Sequence, residues 1–320
     1  MTQYLDNGQD RHRLGLAICA ALLVIGAPLG AMAQQPGQKV FGAAEQAANA
    51  LVTAAEQNDE RSLLDLLGQD AKRVIHSGDE TEDANGRADF VRAYREMHRL
   101  VTEPDGLTTL YVGAKNWPIP IPLAHKGRDW YFDSAAGERE ILNRRVGRNE
   151  LSAIRICQAL VAAEKEYRHD RPETYAPKIL SDPGQRNGLY WNVAAGEPQS
   201  PIGPLVASAE AEGYNAPAAH ARTPYRGYHF HILAQQGSHA AGGAHSYIED
   251  GKMTGGFAFV AYPARYRSSG VMTFIVGVDG VVYQKDLGPQ TAHLAATLKR
   301  YDPDASWHVA EETQTARTGQ

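Results

Sequence analysis

Four histidines fall close together in the last third of the chain. His229 and His231 alternate, so on an extended strand they share one face. His239 and His245 follow in a stretch rich in Gly and Ala. Imidazoles at that density could ligate zinc, which needs about four donors in near-tetrahedral arrangement. No cysteine lies nearby to complete such a site, and no helical His-Glu-x-x-His pattern supports one. The reading is therefore that His229 and His231 are structural or surface residues, with all four histidines kept as the weaker, metal-ligating alternative. No cofactor is expected.

Other chemistries leave fainter traces. A serine hydrolase needs its nucleophile on a sharp turn, often Gly-x-Ser-x-Gly. That pentapeptide is absent, and Ser268-Ser269-Gly270 reads as a turn. Glycoside hydrolysis needs two carboxylates across a cleft, and no spacing singles out a pair. Gly242-Gly243 and Gly255-Gly256 lack the Lys and Ser/Thr of a phosphate loop. Arg144, Arg145, Arg148 and Glu150 cluster; ion pairs that fix a domain junction explain them better than an anion site does. Trp117, Trp130, Trp191 and Trp307 could line a groove, although core packing is the default for aromatics. Cys157 reads as a small buried hydrophobe rather than a reactive thiol. No motif names a reaction, so whether the protein is an enzyme stays open.

The amino terminus bounds the compartment. Arg11-His12-Arg13 precedes an apolar run over 14–29, broken only by Gly15, Gly26 and Pro28, and Ala31-Met32-Ala33 closes it. This pattern predicts a signal peptide over 1–33, cleaved after Ala33. The apolar run is shorter than the ~20 residues of a spanning helix, so no stable membrane anchor is expected after cleavage. Cys19 is preceded by the bulky Ile18 and sits inside the run, which argues against lipoprotein processing. Losing the leader leaves Cys157 alone, so no internal disulfide can form. The expected location is the periplasm or the medium. The leader carries two acids and two bases, so the net charge of −5 is unchanged by its removal. Without a long basic run, nucleic acid is not an expected partner.

The elements that must position these residues read as an α+β protein of two domains, with helices and antiparallel sheets. Residues 34–40 form a linker. In the N-terminal domain, 41–140, helices are expected over 43–57, over 60–67 behind an Asp59 cap, and over 86–100, with 77–85 an acidic loop. Strands follow over 107–112 and 130–132. Between them, Trp117-Pro118-Ile119-Pro120-Ile121-Pro122 suits an edge strand or polyproline segment. A joint is expected near 137–148. The C-terminal domain, 148–309, opens on a long helix over 148–168. Leu151, Ile154 and Val161 line one of its apolar stripes; Ile156, Leu160, Ala163 and Tyr167 line a second beside it, so this helix should be wrapped on more than one side. After a Pro/Gly-rich stretch over 170–226, helical only near 205–212, come four strands over 228–233, 256–262, 271–276 and 281–284. Asp279-Gly280 makes the last hairpin. A closing helix is expected over 291–301 and a polar tail over 310–320.

Three stretches carry a family resemblance. They are Trp130-Tyr131-Phe132-Asp133 with Asn143-Arg144-Arg145-Val146-Gly147-Arg148-Asn149-Glu150-Leu151; Gly255-Gly256-Phe257-Ala258-Phe259-Val260-Ala261-Tyr262-Pro263; and Gly270-Val271-Met272-Thr273-Phe274-Ile275-Val276 with Tyr283-Gln284-Lys285-Asp286-Leu287-Gly288. Together they resemble the exported bacterial family catalogued as domain of unknown function twenty-nine-fifty, over nearly the whole mature chain. That family brings no activity with it. At the level of fold, the first domain resembles nuclear transport factor 2 and its relatives. The second resembles the globular part of pilins and pseudopilins, a long helix packed on a four-stranded meander. Fold likeness does not establish function. The expected function is that of an exported envelope protein, binding an unknown envelope protein or small ligand without catalysis. The alternative is a small-molecule-binding or hydrolytic enzyme with a pocket in the first domain. A buried acid or histidine facing that pocket would favour the enzyme.

Overall fold

Local chemistry sets the first helices. The computed structural model describes residues 34–194, 196–214 and 223–310; the expected leader and the expected tail from residue 311 lie outside the described residues. The Ala-rich stretch forms α1 (Ala44–Glu56). Asp59 caps α2 (Glu60–Leu67), accepting from the Ser62 backbone N–H at 3.1 Å and its hydroxyl at 2.7 Å. A short α3 (Lys72–Ile75) follows. The next helix, α4 (Glu80–Glu96), begins six residues before its expected start. Asp79 caps it, accepting from the Glu82 N–H at 3.0 Å. The acids Glu80, Glu82 and Asp83 fill its first turn, where the helix dipole favours negative charge. The stretch expected to be an acidic loop is thus largely a helix start. The chain leaves α4 directly into β1 (His98–Thr102), so residues 98–100 are strand, not helix.

β1 pairs antiparallel with β2 (Thr108–Val112), placing Leu100 opposite Leu110. Of the proline-alternating segment only β3 (Trp117–Pro118) joins the sheet, on β2. β4 (Leu123–Lys126) and β5 (Asp129–Phe132) form a hairpin and complete the order β1-β2-β4-β5. Leu63, Leu67, Ile75, Leu123 and Phe132 are among the buried side chains of this half's main core.

The chain then enters α5 (Ser134–Asp170), 37 residues and roughly 55 Å long. Asp133 caps it, accepting from the Ala136 N–H at 3.2 Å. The segment expected to be a joint, 137–148, is therefore unbroken helix. It contains no proline, and its two glycines do not stop it. Gly137 is needed for another reason: a Cβ there would lie 2.4 Å from the Pro120 carbonyl oxygen, where the helix crosses the chain.

Beyond α5, the only helix before the sheet among the described residues is α6 (Gly203–Ala211). β6 (Tyr228–Leu233) follows, then short strands β7 (Gln235–Gln236) and β8 (His245–Ser246) and the hairpin β9 (Ile248–Glu249) and β10 (Lys252–Met253). The long strands are β11 (Ala258–Pro263), β12 (Met272–Gly277) and β13 (Val282–Asp286). The closing helix α7 (Thr291–Ala296) is half its expected length. It gives way to β14 (Arg300–Tyr301), which pairs with β7, and to β15 (His308–Val309). The expected four-stranded meander gains β15 as a fifth strand, in the order β15-β13-β12-β11-β6. α5 packs on β11 and β12 from one side and α7 on β11. Burial of nearly every residue of β11 and β12 shows that both faces of these strands are covered. Cys157, Leu160, Phe257, Phe259 and Phe274 lie in the core of this half.

Candidate functional site

The second apolar stripe of α5 does not end on the sheet. Ile156 and Leu160, one turn apart, form the floor of a cleft of about 140 Å³. One wall is Ile179 and Leu180, from the chain that doubles back after α5. The facing wall is Ile202 with Leu205, Val206 and Ala209 of α6. Phe230 of β6 and the run Thr223-Pro224-Tyr225, with Tyr214, close the far end. α6 is pinned at its start, where the Ile202 N–H donates to the Leu189 carbonyl at 3.3 Å.

Among the polar side chains that border this cleft, Tyr214 is held by partners outside it. The Tyr214 hydroxyl donates to Asp79 Oδ2 at 2.9 Å and accepts from the Arg226 N–H at 3.2 Å. Burial and the Asp79 charge push its pKa well above the ordinary tyrosine value. Burial raises the Tyr225 pKa above the ordinary tyrosine value, and the neighbouring Arg226 is paired with Glu212.

Asp79 is the centre of a second, polar region, where the two halves meet. It is fully buried and accepts from Tyr214, from the Gly227 N–H at 2.9 Å and from its own helix. Gly227 has φ +77°, and a Cβ on it would sit 2.4 Å from Asn149 Nδ2. Asn149, buried on α5, donates to Glu82 and to the Ser269 carbonyl, both at 3.1 Å. Burial, with Asp79 beside it, raises the Glu82 pKa. The Ser268 hydroxyl reaches the His76 carbonyl at 3.0 Å, and Arg145 donates to the carbonyls of Arg73 and Val74. Burial holds the Arg145 pKa below its usual value.

One titratable group is buried further along α5. Glu164, one turn beyond Leu160 on α5, is fully buried. Its Oε2 accepts from the Ala176 N–H at 2.9 Å, and Oε1 has no partner among the described residues. Burial pushes its pKa up to about 8, against a small opposing effect of the Ala176 bond.

A family model described as a protein of unknown function, DUF2950, matches residues 38–310. The chain belongs to this family. No curated protein and no solved structure matches it, so the likenesses to pilins and to nuclear transport factor 2 rest on the sequence pattern alone. The matched span takes in the DUF2950 chain's cleft, its polar junction and both sheets.

The residues singled out by sequence divide among several places. His229 and His231 share a face of β6 and pack on the Tyr262 ring, at centroid distances of 5.1 and 5.9 Å. Burial lowers both their pKa values. His231 Nε2 lies 3.3 Å from the Leu298 carbonyl, while His229 Nδ1 is buried without a partner among the described residues. His239 pairs with Asp302 at 3.0 Å, and His245 meets the Gly243 and Gly255 carbonyls. Among the described residues no three His, Cys, Asp or Glu side chains are grouped so as to hold a metal ion.

The basic cluster joins several contacts. Arg145 is the junction residue described above, and Arg148 approaches Glu82 at 4.0 Å. Glu150 accepts from the Val271 and Met272 N–H groups at 2.9 and 3.0 Å. Arg144 pairs with Glu140 and stacks on exposed Trp117. Trp130 packs on the first core and on His125, Trp191 between Arg171 and Arg186, and Trp307 beside Lys285. None of the four tryptophans lines the cleft. Cys157 is buried and its pKa is pushed up to about 12.

Sequence reasoning missed the cleft because most of its walls come from 179–225, where only the short α6 carries a periodic signal. The second stripe of α5 was the available signal: Ile156 and Leu160 face something other than the sheet.

Proposed function

We propose that this is an exported protein that binds, rather than transforms, an apolar ligand or the apolar part of an envelope partner, and that the cleft between α5, α6 and β6 is where it binds. The carrying observation is that cleft's lining: hydrocarbon and aromatic walls, with the Tyr214 phenol already committed to internal hydrogen bonds. The catalytic alternative called for a buried acid or histidine facing a pocket in the first half. The pocket there, between α1 and α2, has Lys39 and Asp65 as its charged lining residues, and both are exposed. Export rests on the leader pattern, and N-terminal sequencing of the secreted or periplasmic form should begin at Gln34.

The binding experiment takes mature protein and a series of neutral apolar probes of increasing size: toluene, naphthalene and phenylnaphthylamine. At least one should bind saturably, raise Tm through mass action, and lose that effect in Ala209→Trp, which places a large ring on the cleft side of α6. If no probe binds, or if binding is indifferent to Ala209→Trp, this assignment of the site is wrong.

A further inference from the structure

We infer that the segment after α5, residues 171–191, is a strap that is held tightly against that helix in acid and loosens toward alkaline pH, with the buried carboxyl of Glu164 as its catch. The inference does not depend on what the protein binds.

The catch consists of one hydrogen bond and one deficit. Glu164 is 0% exposed. Its Oε2 accepts from the N–H of Ala176, also 0% exposed, at 2.9 Å, and this bond ties helix to strap. Oε1 is buried without a partner among the described residues. A neutral carboxyl in this place leaves one hydrogen bond unmet. A carboxylate would hold a full charge in the interior without a cation, which is far costlier. Burial accordingly pushes the Glu164 pKa up to about 8.

The charged and titratable groups around it are engaged elsewhere. On α5, Arg168 lies over the Tyr175 ring at 4.3 Å and Arg171 over the Tyr167 ring at 4.4 Å. The Tyr167 hydroxyl donates to the Arg186 carbonyl at 3.3 Å, and Cys157, two turns back, is a neutral thiol. On the strap, Lys178 pairs with Asp182 and Arg186 with Glu197. Lys252 of β10 pairs with Glu173. The ionisable side chain of β11, Tyr262, packs on His229 and His231, and β12 has none. In β13, Lys285 donates to Ser306, Asp286 accepts from Tyr266, and the Tyr283 ring meets Tyr301. Asp279, in the turn before it, accepts from the Val281 N–H.

The strap is built to open by itself. It contains no helix and only single bridges. Several of its backbone bonds are internal: Leu189 N–H to Lys178, Tyr190 to Ile179, and Ser181 to Tyr190. Such a segment opens at lower free energy than the strands of a covered sheet. Ile179 and Leu180, one wall of the cleft, move with it.

Opening brings Glu164 into water, so the open form releases a proton that the closed form keeps. Between pH 4.5 and 8 opening becomes easier by about tenfold per unit, and it levels off above.

The test is hydrogen exchange of the mature protein at pH 5, 6.5 and 8, expressed as protection factors so that base catalysis of exchange is divided out. Peptides covering 174–190 should be less protected than β11 and β12 at every pH. Their protection should fall by about a hundredfold or more from pH 5 to 8. Glu164→Gln keeps an acceptor for Ala176 and cannot ionise, so its strap protection should stay level within about threefold. Glu164→Met, equally unable to ionise, should be level as well. A strap as protected as β11 and β12 would overturn the inference, since it would not open alone. So would an equal pH dependence in wild type and both variants. A level wild type would overturn it too, as when ionised Glu164 recruits Arg168 instead of releasing the strap.

Discussion

Two regions flank α5, and they are built by opposite rules. Around Asp79, Asn149, Arg145 and Ser268 the halves meet through buried polar groups that partner one another across more than a hundred residues of sequence. Around Ile156 and Leu160, a few turns further on, the helix lines a cleft of hydrocarbon and open space. A satisfied polar network admits one geometry, because any shift strands a buried donor or acceptor. An apolar cleft loses only dispersion when its contents change. The molecule thus fixes its halves at one point on the helix and keeps an adaptable surface at another.

The comparison can be broken most forcefully at the shared helix. Ile154→Asp places a carboxylate in the second core without a partner, at an expected cost of about 4 kcal/mol. Urea unfolding should show it, and an unchanged midpoint would mean that α5 is not core. At the junction, Asp79→Ala removes a helix cap and strands the Tyr214 hydroxyl and the Gly227 N–H. About 3 kcal/mol should be lost. A loss under about 1 kcal/mol would show that the network does not hold the halves together.

The buried acid Glu164 on α5 should respond in the other direction. Glu164 has its pKa raised to about 8 in the native protein, against an ordinary value of 4.5. Between those values the folded chain keeps a proton that the unfolded chain releases. Its contribution is complete below pH 4.5 and is lost as pH rises through 8, at up to ~1.4 kcal/mol per unit. Glu164→Gln cannot ionise, so it should flatten that slope and stabilise the protein at pH 8 by about 2 kcal/mol. Wild type and variant falling in parallel from pH 5 to 8 would refute the assignment. The smallest effect belongs to Arg148→Ala. Its 4.0 Å pair with Glu82 is largely exposed on the arginine side, and less than about 0.5 kcal/mol should change.

The same contrast explains what was legible in the sequence. The Asp59 cap and the long strands β6, β11, β12 and β13 follow local rules, and those strands lie within two residues of their expected places; the doubled stripe of α5 is buried except for Leu151, which is exposed because it turns away from the core, and the short strands β7 to β10 carry no local signal. The start of α5 was hidden by Gly137 and Gly147, which dilute the helical signal. Gly137 is fixed by contact with Pro120, which no local pattern reveals. The start of α4 was hidden because an acidic first turn looks like a loop until Asp79 is recognised as its cap. The Ser268-Ser269-Gly270 turn was readable, but its docking against His76 and Asn149 joins positions far apart in sequence. The cleft was least legible, since five separate segments build it and only their meeting in space makes it.

The most direct test of the division between fixed junction and receptive cleft is a methyl-resolved NMR titration of the mature protein with toluene. Saturable shifts should appear at Ile156, Leu160, Ile202 and Val206, while Val74 and Val271 at the junction stay in place. Shifts spread evenly over both sets, or confined to the junction, would contradict the account.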